Sequence, residues 1–453
     1  MYLIYSLLLT IGFLVLLQRF AIDTLRTRKY VTGLRQRLGR IPNLAASDRR
    51  VIWLHCVSVG ETEAARPLVR ALREKFPSHR LVVSTTTVTG QQVAHKAFAQ
   101  DAAAIFYFPI DWAWTVRRVL RALNPSVLLI METELWPNLL RECRRRSIPV
   151  ALINGRISQK SYHRYQRIRA FMQPVLHDLS LAFMQSDDDA ARISALGLSD
   201  DRISILGNLK FDSSASTKLA LTAEIQQRFA FHTDDPLVVA ASTHSPEESI
   251  VLDAFRRVKA SAPGERARLI IAPRHPERFG EAAKLIADSG MAWARRSESP
   301  ADEDATCDVI LFDSIGELRA VFPLADIAFI GGSIVSHGGQ NVLEPAAQGV
   351  CVITGAHTHN FAAITKALLD EDALIQLPEV SFADAASELA SSVTELLTND
   401  SRRQAVVARA LAVCDRNRGA TQRTVDMIVN LLDSPVSTSE GVPFPAIPVS
   451  TAK

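Results

Sequence analysis

From Arg50 onward the chain alternates short apolar runs with amphipathic stretches, and it does so twice over. VIWLHCVSV (51–59), LVVSTTT (81–87), AIFYFPI (104–110), PSVLLIMETE (125–134) and IPVALI (148–153) read as strands. LAFMQS (181–186) and ISILGNLKFD (203–212) complete this first series, with helical stretches such as 60–76, 89–99 and 114–123 between the runs. The second series is PLVVAAST (236–243), RLIIAPR (268–274), MAWARR (291–296), VILFD (309–313), DIAFI (326–330) and VCVITG (350–355), with 247–260 as one of its helices. Apolar runs bounded by turns suit strands buried on both faces. Repeated β-loop-α units then give a parallel sheet covered by helices on either side. The expected fold class is α/β, two Rossmann-like domains facing a cleft, with ligand groups at the carboxyl ends of the strands. Residues 23–212 form the N-terminal domain in this reading, polar 213–235 a linker, 236–432 the C-terminal domain, and Pro/Ser-rich 433–453 a flexible tail.

A chain of 453 residues accommodates two such domains, and a net charge of +3 gives no argument for nucleic acid. Five scattered cysteines without a CxxC pair argue for a reducing compartment, and against both disulfides and a zinc site. Residues 2–17 carry no charge and are slightly short for a full membrane span. No positive charge precedes them and no small-residue cleavage site follows, so they do not read as a signal peptide. The positives come afterwards: Arg19, Arg26, Arg28, Lys29, Arg35, Arg37 and Arg40, against Asp23 alone. Residues 1–22 are thus expected to be a membrane anchor, either spanning or lying in the interface, with the body cytoplasmic. The basic cluster suits an anionic membrane surface.

The stretch IGGSIVSHGGQNVLEPAAQG (330–349) runs from a strand end through glycines into a helix start. Bare backbone N–H groups and a helix dipole there would seat a phosphate, while Glu344 suits the dipole or could accept from a sugar diol. An ordinary βα turn is the competing reading, since the spacing is not GxGxxG. Arg274, after its strand, would meet a nucleotide phosphate with its planar fork. Pro273 and Ile315 could sandwich a base, and backbone near Gly316 could read its edge. In the first series Glu61 opens a helix, Glu132 and Glu134 end a strand before Trp136-Pro137-Asn138, and Arg156 lies in a loop. Strand ends of one sheet share a crevice, so these residues can share a site; capping and turn formation are the alternatives. Lys210 lies at the domain junction, where it faces the cleft or is a surface lysine. Asp187-Asp188-Asp189 begins a helix, so no metal is read.

These residues together resemble the 3-deoxy-D-manno-octulosonic acid (Kdo) transferases of lipopolysaccharide synthesis, inverting glycosyltransferases of the GT-B fold. The resemblance runs from the N-terminal helix to about residue 430 and is carried by SVGET (58–62), TTTVTG (85–90), METELWPNLL (131–140), NGRIS (154–158), GNLKFD (207–212), STHSPEE (242–248), APRHPERF (272–279), IGEL (315–318) and GGSIVSHGGQNVLEPAAQG (331–349). It implies that Glu61 is the general base and that Glu132 and Lys210 stabilise the transition state. CMP contacts would fall on Pro273, Arg274, Ile315, Gly316, Glu317, Asn341, Val342, Leu343 and Glu344. It further implies a CMP-Kdo donor, a lipid A precursor (lipid IVA) as acceptor, no cofactor, and a place on the cytoplasmic face of the cell inner membrane. Departures at Val88, Gly155, Gln340 and Val342 leave the matched acid, base and Arg274 in place. The helix dipole behind Glu61 is expected to keep it ionised. A nucleotide-sugar 2-epimerase of the same fold would not need residues 1–40, and a non-catalytic membrane scaffold would not need these strand-end motifs; both stay open.

Overall fold

The computed structural model describes residues 2–27, 33–44, 47–213, 219–232 and 234–433. The chain forms two compact units, one of residues 1–213 with 418–453 and one of residues 214–417. The tail from 434, the stretch 214–218 and the basic residues Arg28 and Lys29 lie outside the described residues.

The first unit carries a parallel sheet of β1 (Val51–Cys56), β2 (Arg80–Thr85), β3 (Ala104–Tyr107), β4 (Pro125–Met131), β5 (Val150–Gly155), β6 (Leu181–Met184) and β7 (Ile203–Ile205). Its strand order is β3-β2-β1-β4-β5-β6-β7. Successive side chains of a strand point to opposite faces, so Val51 and Trp53 join one core with Phe106, Leu120 and Leu128. Ile52 and Leu54 join the other, with Leu68, Phe98 and Val127. Each such side chain, fully buried, contributes roughly 1.5–3 kcal/mol over exposure. The order reverses between β1 and β4, which opens a crevice at their carboxyl ends.

The second unit repeats the plan with β8 (Leu237–Thr243), β9 (Arg268–Pro273), β10 (Trp293–Arg295), β11 (Val309–Leu311), β12 (Ile327–Ile330), β13 (Cys351–Thr354) and β14 (Ile375–Gln376). The order is β10-β11-β9-β8-β12-β13-β14, all neighbours parallel, with the reversal between β8 and β12.

Three sequence expectations are corrected. The helix Ala420–Asp433 was assigned to the C-terminal domain but belongs to the first unit. Its apolar stripe of Ala420, Val425, Ile428 and Leu431 completes the core beside Leu68 and Leu72. The Asp212 carboxylate accepts the Gly419 and Thr421 N–H groups at 2.7 and 2.6 Å, satisfying donors at that helix start. The stretch 213–235 is not simply a linker. Its helix Leu219–Arg228 belongs to the second unit, where Arg228 pairs with Asp304 at 2.8 Å with both side chains nearly buried. The run 203–212 is a strand only over Ile203–Ile205, and Lys210 opens the short helix Lys210–Ser213.

Residues Tyr2–Thr27 form one helix. A face of polar and aromatic residues packs on the first unit. Tyr2 Oη donates to Asp178 at 2.5 Å, Trp112 Nε1 donates to Thr10 Oγ1 at 3.1 Å, and Phe13 meets Trp112 edge-on at 5.0 Å. Leu3, Ile4, Leu7, Leu8, Ile11, Leu14 and Val15 are exposed. Among the described residues no helix is long and apolar enough to cross a membrane.

Candidate active site

In the first unit the site is built at the ends of β1 and β4. After β1 the backbone turns into the helix Val59–Ala64, with Ser58 as N-cap. Glu61, at the third position, folds back: Oε2 accepts the Val57 N–H at 2.7 Å and Oε1 accepts the Ser58 hydroxyl at 2.9 Å. Glu61 therefore completes the cap, and it does so beside the Glu132 charge at the carboxyl edge of the sheet. It is only 7% exposed. Burial first, then the neighbouring Glu132 charge, push its pKa up to about 7 against the pull of its two hydrogen bonds. The expectation that the dipole keeps Glu61 ionised is thus corrected: a short helix start does not outweigh loss of water and a like charge. A carboxyl poised near neutrality suits proton abstraction better.

Glu132 follows β4 with φ +54, a left-handed backbone uncommon for a residue with a side chain. The turn aims its carboxylate at Lys210, whose Nζ lies 3.1 Å from Oε1. Burial, then the Glu132 charge, also raise the pKa of Glu134. The Thr133 hydroxyl donates to the Arg156 carbonyl, tying the loop after β5 to the same place. Lys210 is held by a buried amide chain. Asn208 Oδ1 accepts the Lys210 N–H at 3.0 Å, Asn208 Nδ2 donates to Gln185 Oε1 at 2.9 Å, and Gln185 Nε2 donates to the Asn154 carbonyl at 2.9 Å. The Leu209 N–H closes the ring on Asn154 Oδ1 at 3.0 Å. Sequence reasoning missed Gln185. Its only signal was a polar residue ending the apolar run LAFM.

The second unit gathers His244 after β8, Arg274 and His275 after β9, and the glycine loop after β12. The loop differs from the reading as a bare phosphate seat. The carboxylate of Glu247, fully buried, accepts the N–H groups of Gly332, Ser333, Ile334 and Val335 at 2.6, 3.0, 2.9 and 3.4 Å, and that of His244 at 2.9 Å. The first part of the loop is therefore already filled by the chain's own anion. No side chain fits at Gly331, since a Cβ would lie 2.6 Å from the Thr243 Cα and 2.8 Å from Glu247 Oε2. Beyond the filled part, Gly338 and Gly339 have φ of +89 and +72 and turn the chain toward Asn341 and Val342. Asn341 Oδ1 accepts the Leu343 N–H at 3.1 Å, and the helix Leu343–Ala346 is a single turn. So short a helix supplies far less dipole than was expected of it. Glu344 Oε1 is held by Arg319 at 2.6 Å, and Glu317 Oε2 by Arg296 at 3.0 Å. Ile315 is 79% exposed and Pro273 is buried, so only Ile315 offers an open face. A Cβ at Gly316 would meet nothing within 4 Å. Arg274 is exposed, its N–H donating to the Thr243 carbonyl at 3.0 Å. Among the described residues no group of three or more His, Cys, Asp or Glu is arranged to hold a metal ion.

Residues 32–213 match the family model described as 3-deoxy-D-manno-octulosonic-acid transferase (kdotransferase). The 3-deoxy-D-manno-octulosonic acid transferase of Haemophilus influenzae is 35% identical over 410 residues, covering 90% of this chain and 94% of that protein. Among solved structures, a putative UDP-N-acetylglucosamine 2-epimerase from Listeria monocytogenes is similar at TM-score 0.59 and 14% identity, over 85% of this chain and 97% of that one. A glycosyltransferase from Rickettsia africae is similar at TM-score 0.56 and 11% identity, over 86% and 100%. At those identities the likenesses show the fold alone, two parallel-sheet α/β units of the GT-B kind. By sequence likeness over nearly its whole length, the chain belongs to the 3-deoxy-D-manno-octulosonic acid transferase family.

Proposed function

We propose that this chain transfers Kdo from CMP-Kdo to a hydroxyl of the lipid A precursor lipid IVA, with inversion and without a metal. The observation that carries the mechanism is the buried Glu61 carboxyl with its pKa near 7, beside the Glu132–Lys210 pair. A sugar hydroxyl is too weak an acid to attack unaided. Glu61 takes its proton as the acceptor oxygen bonds to the anomeric carbon. The bond from that carbon to the phosphate oxygen breaks in the same displacement, and CMP leaves with the electron pair. In this reading Lys210 and Glu132 stabilise the charge that changes during attack, and Arg274 with the loop through Glu344 binds the CMP phosphate and ribose. No specific observation favours a 2-epimerase or a scaffold.

The helix Tyr2–Thr27 is the proposed membrane anchor on the cytoplasmic face of the inner membrane. Its exposed Leu3, Leu7, Ile11 and Leu14 support this, together with the basic run that follows in sequence. The test is transfer of labelled Kdo from CMP-Kdo to purified lipid IVA, with the product read by mass spectrometry. A mass gain of one or more Kdo units is the expected result. Release of free Kdo without lipid product would overturn the acceptor assignment.

A further inference from the structure

Three imidazoles converge at the carboxyl edge of the second unit's sheet, and the transfer chemistry above gives none of them a role. His244 follows β8, His275 follows β9, and His337 lies on the glycine loop after β12. The His244 ring lies 4.6 Å from that of His337, tilted, and 5.3 Å from that of His275, edge-on. They therefore stand at the reversal of strand order, where open α/β sheets bind ligands.

The surroundings are short of negative charge. His244 Nδ1 lies 3.2 Å from the Ser242 carbonyl, which can only accept, so Nδ1 carries the proton and Nε2 holds a lone pair while the ring is neutral. The nearest carboxylate, Glu247, is committed to backbone N–H groups, including that of His244. Glu248 is committed to Arg278 at 2.6 Å and to the Thr243 hydroxyl at 2.8 Å. Arg274 adds a positive charge from the end of β9. Burial first, then His337 and His275, hold the His244 pKa below its usual value, with Arg274 adding to the effect. At neutral pH with no ligand the ring is therefore neutral. An anion placed against the cluster reverses this balance, because it favours the imidazolium and turns Nε2 into a donor.

We propose that His244, His275 and His337 form a seat for an anionic oxygen of the sugar donor, and that donor binding is coupled to proton uptake by this cluster. The proposal rests on the CMP-sugar donor argued above. Such a donor carries two candidate groups flanking the bond that breaks, a phosphate and the carboxylate of the sugar acid. Both offer the same chemistry, and the test separates them. An exposed arginine alone binds phosphate without regard to pH. Adding one buried and two exposed imidazoles makes affinity rise as pH falls toward the pKa of the occupied cluster.

The experiment is titration calorimetry of the full chain in two buffers of different ionisation enthalpy. It is run at about pH 7.5, above the second phosphate pKa of roughly 6, so that free CMP is already a dianion. The ligands are CMP and CMP-Kdo, and the Glu61→Gln background removes one group whose pKa lies near neutrality; Asp111, pushed up to about 7 by burial, is present in every variant and cancels between them. Buffer-dependent heat showing net proton uptake is expected. Uptake with CMP assigns the seat to the phosphate, and uptake with CMP-Kdo alone assigns it to the carboxylate. His275→Gln and His337→Gln alter exposed residues and should keep the fold while reducing the uptake; His244→Asn should abolish it. In steady state the donor KM of the parent chain should rise with pH by up to about tenfold per unit, the limit for one linked proton, and His244→Asn should flatten that slope. Equal heats in both buffers, or uptake that survives all three substitutions, overturn the seat. Failure of the unsubstituted chain to transfer Kdo at all would instead overturn the reading on which the seat rests.

Discussion

Lys210 Nζ lies 3.1 Å from Glu132 Oε1, although the two residues are 78 positions apart in sequence. Each is set by unusual local structure. Glu132 sits in a left-handed turn directly after β4, and Lys210 opens a helix anchored by Asn208, Gln185 and Asn154. Their pairing matters to a third residue, because the Glu132 charge is the second cause, after burial, of the raised Glu61 pKa.

Glu132→Gln should therefore move the acid limb of the pH–rate profile to lower pH, whatever it does to the maximum rate. Lys210→Ala removes the cation that offsets Glu132 and should move the same limb to higher pH. The pH dependence of kcat/KM in both variants reads this directly. Limbs that stay in place would show that burial alone sets the Glu61 pKa.

Glu61 should also cost the fold stability. Its folded pKa of about 7 lies above the ordinary 4.5, so the protonated form is favoured in the native state. The stability tied to that proton is fully present below pH 4.5 and is lost as pH rises through 7. Glu61→Gln keeps the shape without the charge. It should melt with the parent in acid and above it at pH 8, by on the order of 1 kcal/mol or more. Thermal melts across this range would show a parallel offset if the effect were packing and not charge.

Glu247→Gln places an amide NH₂ among backbone N–H groups that now share a carboxylate. Leaving buried donors unmet costs about 1–3 kcal/mol, and it releases the loop that leads to Asn341–Glu344. CMP affinity should fall severalfold or more by calorimetry, with the KM for the lipid acceptor unchanged. Equal losses on both substrates would point to general unfolding.

The membrane reading is checked on the exposed face of the first helix. Leu7→Asp with Ile11→Asp should release much of the protein from vesicles of anionic lipid while sparing slow transfer to detergent-dispersed acceptor. Residual binding should persist at low salt through exposed basic residues such as Arg35 and Arg40, each worth roughly 1 kcal/mol at an anionic surface, and should vanish as salt screens it. Arg37 is instead held by the Thr86 carbonyl and the Tyr107 ring. Full binding at high salt would require a second apolar surface elsewhere.

Much of this was legible in the sequence because parallel strands are nearly continuous apolar runs and their polar residues collect at the ends. That rule marked Glu132 and Arg274, each directly after a strand, and Glu61, in the helix turn that follows β1, as candidates; their roles came from the family resemblance. What escaped depends on partners distant in the chain. The stripe of Ala420, Val425 and Ile428 marks a buried helix face, but nothing local says which unit buries it. Glu247 looks like an acid in a first helical turn, and only the fold shows it bound to a loop some 85 residues onward. Gln185 belongs to the site solely because β6 runs beside β5 and β7. The glycine loop was read too simply, since sequence cannot show that its first N–H groups are already occupied.

The most direct measurement of the central claim is single-turnover transfer of labelled Kdo from CMP-Kdo to lipid IVA across pH 5.5–9, by the parent chain and Glu61→Gln. The parent rate should rise with pH and level off above about 7, where Glu61 has lost its proton. Glu61→Gln should bind CMP as the parent does yet transfer about 10²–10⁴-fold more slowly, with no such rise. A Glu61→Gln variant that keeps the parent rate and pH profile would contradict the assignment of Glu61 as the base.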